Sequence, residues 1–415
     1  MVQTIFGVKS ITTLKNLRQL VSTFPKNAGS VTVVSPSRID TQWQTWKKEL
    51  PTVQPFYAVK CNPEPVLLKT LLNRGAHFDC ASIREVRDVK QHVPCSNHLS
   101  SSVLYAHPMK SERDIRIIDE LGIKTTTVDS IEECEKLSAC AWKGDAYLRV
   151  AVGDTGSKMP FSAKFGATYP ELESIAKNSK IHLSGVSFHV GSGCEDPKQY
   201  TLAIEYAATV VSNILRKYGH SPKVIDIGGG FSANPTMFEP AAKAIREGLK
   251  SVPASQKVIA EPGRYFAQPS QDLFVKVIAK KKGLNGYTWR YSIDESLYGH
   301  FSCIPFDHQK PAWLKVSNAI SNSKPSPAIL FGRTCDSLDV IAKGKMEPLE
   351  VGDWLYFPLM GAYTSATASE FNGFPKPHTV VDWDKLLPES PWHYVDMFHT
   401  TNTDLQYSNA LPPIL

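Results

Sequence analysis

The sequence predicts an α/β protein: a parallel (β/α)8 barrel followed by a second, mainly β domain. Three observations carry that expectation. Eight short apolar runs recur between residues 56 and 260, each short enough for a buried strand. Helical patterns with recognisable starts fill the gaps, and eight strands alternating with helices is the number at which such a sheet closes. After about residue 270 the spacers become glycine, proline, asparagine and serine, as in antiparallel β structure. A doubly wound open sheet is the competing reading of the first pattern.

In chain order, residues 1–35 form a weakly patterned lead-in that ends on the strand candidate Ser30–Val34 and is expected to join the β domain. Residues 36–270 are assigned to the barrel and 271–415 to the β domain. Barrel strands are read at Phe56–Val59, His77–Cys80, Ser102–Ala106, Thr125–Val128, Tyr147–Val152, Gly185–Val190, Val224–Ile227 and Val258–Ala260. Asn62-Pro63 reads as an N-cap with a first-turn proline, followed by Leu67, Leu68 and Leu71 on one face and Gly75 as the stop. Ser82 to Glu85 and Ser130 to Glu133 read as capping boxes. Beyond the barrel, Asp272–Ile278, Tyr287–Tyr291 and Trp354–Phe357 are strand-like. The basic run Ala279–Lys282 reads as a solvated turn and Ser321–Pro327 as a polar loop.

A chain of 415 residues suits a barrel plus a smaller unit, and 42% hydrophobic with 21% charged residues allows a large core. The formal charge of +6 comes from scattered lysines and arginines, which gives nucleic acid no basic face to bind. Cys61, Cys80, Cys95, Cys134, Cys140, Cys194, Cys303 and Cys335 lack CxxC or metal-ligand spacing. Reduced thiols, no metal centre and a cytoplasmic location are the expectation. No apolar run approaches the roughly 18 residues that cross a bilayer, and no signal-peptide pattern opens the chain, so no membrane partner is expected.

Four strand ends carry chemistry. Lys60 closes the apolar run Pro55–Val59 just before a helix start. Partly withdrawn from water, its amine loses basicity and can form a Schiff base, although taken alone it reads more readily as a snorkelling surface lysine. Asp226-Ile227-Gly228-Gly229-Gly230 runs a strand into three glycines that let backbone N–H groups approach a phosphate closely, although such a triplet as often makes only a tight turn. Glu261 and Arg264 stand three apart at the next strand end, where a local ion pair is the plain alternative. His189 and Ser192 follow another strand, the imidazole suited either to a cofactor ring or to the core. In a barrel all four loops open on one face. A Schiff-base lysine, a phosphate loop and a carboxylate that keeps a pyridinium nitrogen protonated are the parts pyridoxal phosphate requires.

The segments PFYAVKCNP, FDCAS, FHVGSGC, DIGGGF, EPGRY and Thr334-Cys335-Asp336 with Leu338-Asp339 occur in this order across nearly the whole chain. With them the sequence resembles the eukaryotic ornithine decarboxylase family, the alanine-racemase-like, fold-type III group of pyridoxal phosphate enzymes. The resemblance implies a barrel that binds pyridoxal 5'-phosphate. Lys60 matches the Schiff-base lysine, Asp79 the acid that positions it and His189 the residue that stacks on the ring. Ser192, Gly230, Arg264 and Tyr363 match phosphate contacts, with Gly228 and Gly229 completing the loop, and Glu261 matches the partner of the pyridine nitrogen. Asp307 and Asp336 match acids that hold the substrate's distal ammonium, with Phe306 beside them. Cys335 matches the thiol that protonates the carbanion once carbon dioxide has left, and a thiol can hold and release a proton near neutral pH.

The family completes each site across a subunit interface, so the resemblance also implies a head-to-tail homodimer. Departures occur at Ser296, usually glycine, at Phe306, usually tyrosine, and at Arg333 and Ser337, usually proline and glycine. Arg333 sets a positive charge near residues that should attract a cation. The expected reaction is decarboxylation of L-ornithine to putrescine and carbon dioxide, for polyamine or alkaloid metabolism. Alternatives are the same chemistry on lysine or an alkaloid-pathway intermediate, and an inactive antizyme-inhibitor-like binding protein, against which the intact Lys60, His189, Glu261, Arg264, Cys335 and Asp336 speak. Regulation by antizyme is not legible in the sequence.

Overall fold

The computed structural model describes residues 8–92, 96–153, 157–159, 164–283, 286–316, 324–402 and 404–407. The chain divides into two compact units, Asp40–Phe266 and the two segments Met1–Ile39 and Ala267–Leu415.

In the first unit the strands Val53–Ala58, His77–Cys80, Val103–Tyr105, Thr125–Val128, Asp145–Val150, Leu183–Phe188, Val224–Asp226 and Lys257–Ala260 close into a parallel barrel. The ring is completed where Lys257–Ala260 pairs with Val53–Ala58, which rules out the open sheet. Leu183–Phe188 is buried along its whole length, as parallel strands covered on both faces are. Several strands end one or two residues before the apolar run does, which moves Val59, His189 and Ile227 into the loops that follow.

The helix expected at Asn62-Pro63 opens two residues later. Glu64 is the N-cap, accepting from Val66 N at 3.4 Å, and Pro65 takes the first helical position, while Asn62 Oδ1 accepts from Glu64 N at 3.0 Å. Ser82 and Ser130 do cap their helices, each hydroxyl accepting from the backbone three residues on at 3.3 Å. Neither box closes, because Glu85 turns to Ala81 N at 2.7 Å and Glu133 is drawn to Lys110 and Lys136. A complete box forms at Thr168 and Glu171.

Among the described residues the second unit is built on a nine-stranded sheet around the long strand Gln271–Lys282. That strand pairs antiparallel with Trp354–Phe357, with Trp289–Ile293 and with Ser30–Val34, whose other edge pairs parallel with His378–Val381. The weakly patterned lead-in also holds the helix Val8–Ser22, and Leu17, Leu20 and Phe24 pack with Phe274 and Tyr356 in one apolar cluster. Ala279–Lys282, expected as a turn, is instead the end of the long strand. Lys280 pairs with Glu350 at 2.5 Å and lies 4.2 Å over the Trp289 ring, so its charge sits on the sheet edge rather than in a loop. Ser326-Pro327, expected within a polar loop, opens the strand Ser326–Phe331, and Ser321–Ser323 lie outside the described residues. Among the described residues no helix is long and apolar enough to cross a membrane.

Candidate active site

The barrel residues singled out by sequence lie at or past the C-terminal ends of their strands. Val53–Ala58 runs into a tight turn, Val59–Cys61, that buries Val59 and Cys61 and leaves Lys60 half-exposed. The Lys60 Nζ lies 3.0 Å from Oδ2 of Asp79 on the adjacent strand, where Ala58 and Asp79 are register partners. Asp79 is buried, and its Oδ1 has no hydrogen-bond partner among the described residues.

His189 follows Leu183–Phe188. Gly191 N donates to its Nδ1 at 2.9 Å, which leaves the ring proton on Nε2. Burial first, then the positive charges of Arg149 and Lys60, push the imidazole well below its ordinary value, so it is neutral. Ser192 sits in a short antiparallel pairing opposite Met159.

The glycine loop is fixed from several sides. Gly228 N donates to Asp226 Oδ1 at 2.9 Å, Tyr200 OH to Gly229 O at 3.0 Å, and Glu261 N to Gly228 O at 2.6 Å. Gly228 and Gly230 have φ of +64° and +96°, where any side chain would be strained. A Cβ on Gly229 would stand 2.8 Å from both His189 Nε2 and Glu261 O, so the histidine edge and the Glu261 backbone close directly on the loop.

Glu261 follows Lys257–Ala260, is 7% exposed, and has an Oε1 without a hydrogen-bond partner among the described residues. Burial, then the charges of Asp226 and Asp79, raise it well above the usual carboxylate range. The fully buried Asp226 faces it on the adjoining strand and is raised as well, chiefly by burial. Two carboxyl groups in one dry corner favour sharing a proton over carrying two charges. A cationic ring nitrogen would give the orphaned oxygen a partner. Together with the lysine amine and the glycine cradle, the set fits pyridoxal phosphate. Arg264 opens the short helix Arg264–Ala267 immediately beyond.

Asp226 and Arg149, whose charge acts on both His189 and Glu261, escaped the sequence reading. The signal that marks them is a lone charge inside an apolar strand, at Tyr147-Leu148-Arg149-Val150 and Val224-Ile225-Asp226.

The other singled-out residues lie on the sheet unit. Asp307 ends the helix Cys303–Asp307 and accepts from Gln309 Nε2 at 2.5 Å, and Phe306 beside it is 60% exposed. Cys335 is exposed, its N donating to Asn372 Oδ1 at 2.9 Å. Asp336 accepts from Leu338 N at 2.9 Å and from the Tyr298 hydroxyl, and these bonds hold it below the usual carboxylate range. Tyr363 adopts φ +53° in a turn that begins at Leu359, φ +62°. Asp272 accepts from Leu359 N at 2.8 Å while bonded to Arg38 at 2.8 and 2.9 Å and to Tyr356 OH at 2.6 Å, a buried clamp at the root of that turn. Arg333 does not project its charge outward. It donates to Asp294 at 3.1 Å and lies 3.3 Å from Glu295.

A barrel with this mouth defines a pyridoxal phosphate enzyme of the alanine-racemase-like fold. Residues 36–268 match the pyridoxal-binding domain of pyridoxal-dependent decarboxylases, and residues 204–361 match their C-terminal sheet domain. The ornithine decarboxylase of Caenorhabditis elegans is 37% identical over 374 residues, 85% of this chain and 87% of that one. Among solved structures, the arginine decarboxylase of Paramecium bursaria Chlorella virus has a TM-score of 0.83 at 32% identity, covering 89% of this chain and 100% of that one. The lysine/ornithine decarboxylase of Vibrio vulnificus, complexed with cadaverine, has a TM-score of 0.78 at 31% identity, covering 90% and 99%. The chain belongs to the pyridoxal-dependent decarboxylase family and is a pyridoxal-phosphate-dependent amino-acid decarboxylase.

Proposed function

We propose that the chain decarboxylates L-ornithine to putrescine and carbon dioxide. The observation that carries this reading is the charge on the sheet unit: Asp336 is favoured in its ionised form, and Arg333, which would repel a cationic substrate, is hydrogen-bonded to Asp294 and ion-paired with Glu295. Asp336, with Asp307 as the second acid, would hold a distal ammonium. The name of the nematode relative supports the same substrate.

Bound pyridoxal phosphate supplies an electron sink for the pair left on the α-carbon as carbon dioxide departs. Lys60 would hold it covalently, with Asp79 keeping the amine in place. The N–H groups of Gly228, Gly229 and Gly230 and the side chains of Ser192, Arg264 and Tyr363 would donate to its phosphate. Neutral His189 would offer a ring face without adding charge, and ionised Glu261 would accept from the ring N–H. Cys335 would give its thiol proton to the α-carbon. The working unit in this reading is a homodimer in which the Cys335 loop serves the partner's barrel.

A second reading, the same chemistry on lysine or arginine, rests on the exposed Phe306 beside Asp307 and on the viral and Vibrio neighbours. Carbon dioxide release from purified holoenzyme offered ornithine, lysine and arginine in parallel decides between them. Ornithine should have a kcat/KM about tenfold or more above the others, a difference of about 1.4 kcal/mol. Preference for lysine or arginine would replace the first reading with the second. Silence on all three with cofactor bound would reject both.

A further inference from the structure

The loop carrying Cys335 and Asp336 is fastened at its foot by Arg333. The Arg333 side chain is only 7% exposed. Its guanidinium donates to Asp294 Oδ1 at 3.1 Å and to Pro375 O at 2.6 Å, lies 3.3 Å from Glu295 Oε2, and rests 4.9 Å over the Phe374 ring. Its backbone N donates to Glu295 O at 3.0 Å. One side chain therefore joins residues 294–295 and 374–375 to the start of the loop. The clamped segment also reaches the thiol: Asn372, just before Phe374, accepts from Cys335 N at 2.9 Å while held at φ +60°. Freeing residues 374–375 would loosen both the foot of the loop and the bond at Cys335.

We propose that Arg333 is a positioning residue, tying Asp294 and Glu295 to the Phe374–Pro375 segment so that the Cys335 loop keeps one geometry. The proposal rests on Cys335 being the proton donor. A planar fork with donors at fixed angles meets two carboxylates, a carbonyl and a ring face together, whereas a lysine ammonium offers one point of charge. Proton delivery depends steeply on donor placement, so a loosened foot should lower turnover more than it weakens substrate binding.

Hydrogen–deuterium exchange and steady-state kinetics on holoenzyme test this with wild type, Arg333→Lys and Arg333→Met. The Met variant should exchange about tenfold faster at 334–338 and 372–375 with the barrel unchanged, and kcat should fall about tenfold while KM moves less than about threefold. The Lys variant should fall between. Unchanged exchange in a folded Met variant overturns the proposal, and so does faster exchange with kcat intact or a loss carried by KM alone. If Arg333→Met fails to fold because Glu295 is left buried without its cation, Arg333→Met/Glu295→Gln removes both charges and is read in the same way. Full turnover by Cys335→Ala would place the failure in the proton-donor role, whereas the exchange data test the clamp itself.

Discussion

Asp226 ends one barrel strand and Glu261 follows the next, and each is buried with one carboxyl oxygen that lacks a hydrogen-bond partner among the described residues. Burial raises each above its unfolded value, so protonation is favoured in the folded, cofactor-free chain. Stability from such a group is fully present below the unfolded value near 4 and is lost as pH rises through the higher folded value. Asp226→Asn retains an acceptor for Gly228 N and removes one titration. The cofactor-free variant should therefore exceed wild type in stability by roughly 1–3 kcal/mol at pH 8, with the advantage vanishing below about pH 4. Denaturant unfolding at the two pH values measures it, and equal stabilities at pH 8 would count against a shared proton. Asp226 also marks a boundary of legibility. It stands in a segment read for its glycines, and its complete burial beside Glu261 follows from the pairing of its strand inside the closed barrel rather than from the apolar run that carries it. Arg333 failed in the same way: its charge was legible, but its burial depends on Asp294, Glu295 and Pro375, which are distant in sequence.

Strands and the turns that follow them were the most legible elements, because a buried parallel strand writes itself as a short apolar run whatever surrounds it. Helix starts were less so. Asn62 and Glu64 can each accept a backbone hydrogen bond, and only the turn at Asn62 selects Glu64-Pro65 as the opening. Ala279–Lys282 misled because lysines at a sheet edge look like lysines in a loop until Glu350 and Trp289 are seen beside them. The glycine loop is the element where sequence and geometry agree most closely, and it allows a sharp test. Gly229 has no strained φ, so an added methyl acts through space alone, against His189 Nε2 and Glu261 O at 2.8 Å. Gly229→Ala should weaken pyridoxal phosphate binding by about tenfold or more, about 1.4 kcal/mol. Fluorescence titration of the cofactor-free protein would measure it, and unchanged affinity would remove the loop from the binding site.

At the scale of the whole molecule, Lys60 belongs to one compact unit and Cys335 to the other. If a homodimer pairs the barrel of one copy with the Cys335 loop of the next, two dead variants should complement each other. After subunit exchange, Lys60→Ala mixed with Cys335→Ala should recover roughly a quarter of wild-type turnover, since half the dimers are mixed and each has one intact site of two. No recovery despite proven exchange would mean that each copy works alone. The order of the chain has another consequence. The barrel, Asp40–Phe266, interrupts the sheet unit, so Ser30–Val34 leaves the ribosome long before either strand it pairs with, Gln271–Lys282 or His378–Val381, has been made. Throughout that interval an apolar strand waits with both edges bare, and the barrel closes only at its end, when Lys257–Ala260 emerges to pair with Val53–Ala58. The pace of translation therefore sets how long the nascent chain carries a sticky, unpaired segment, and a slowed ribosome lengthens its exposure to aggregation.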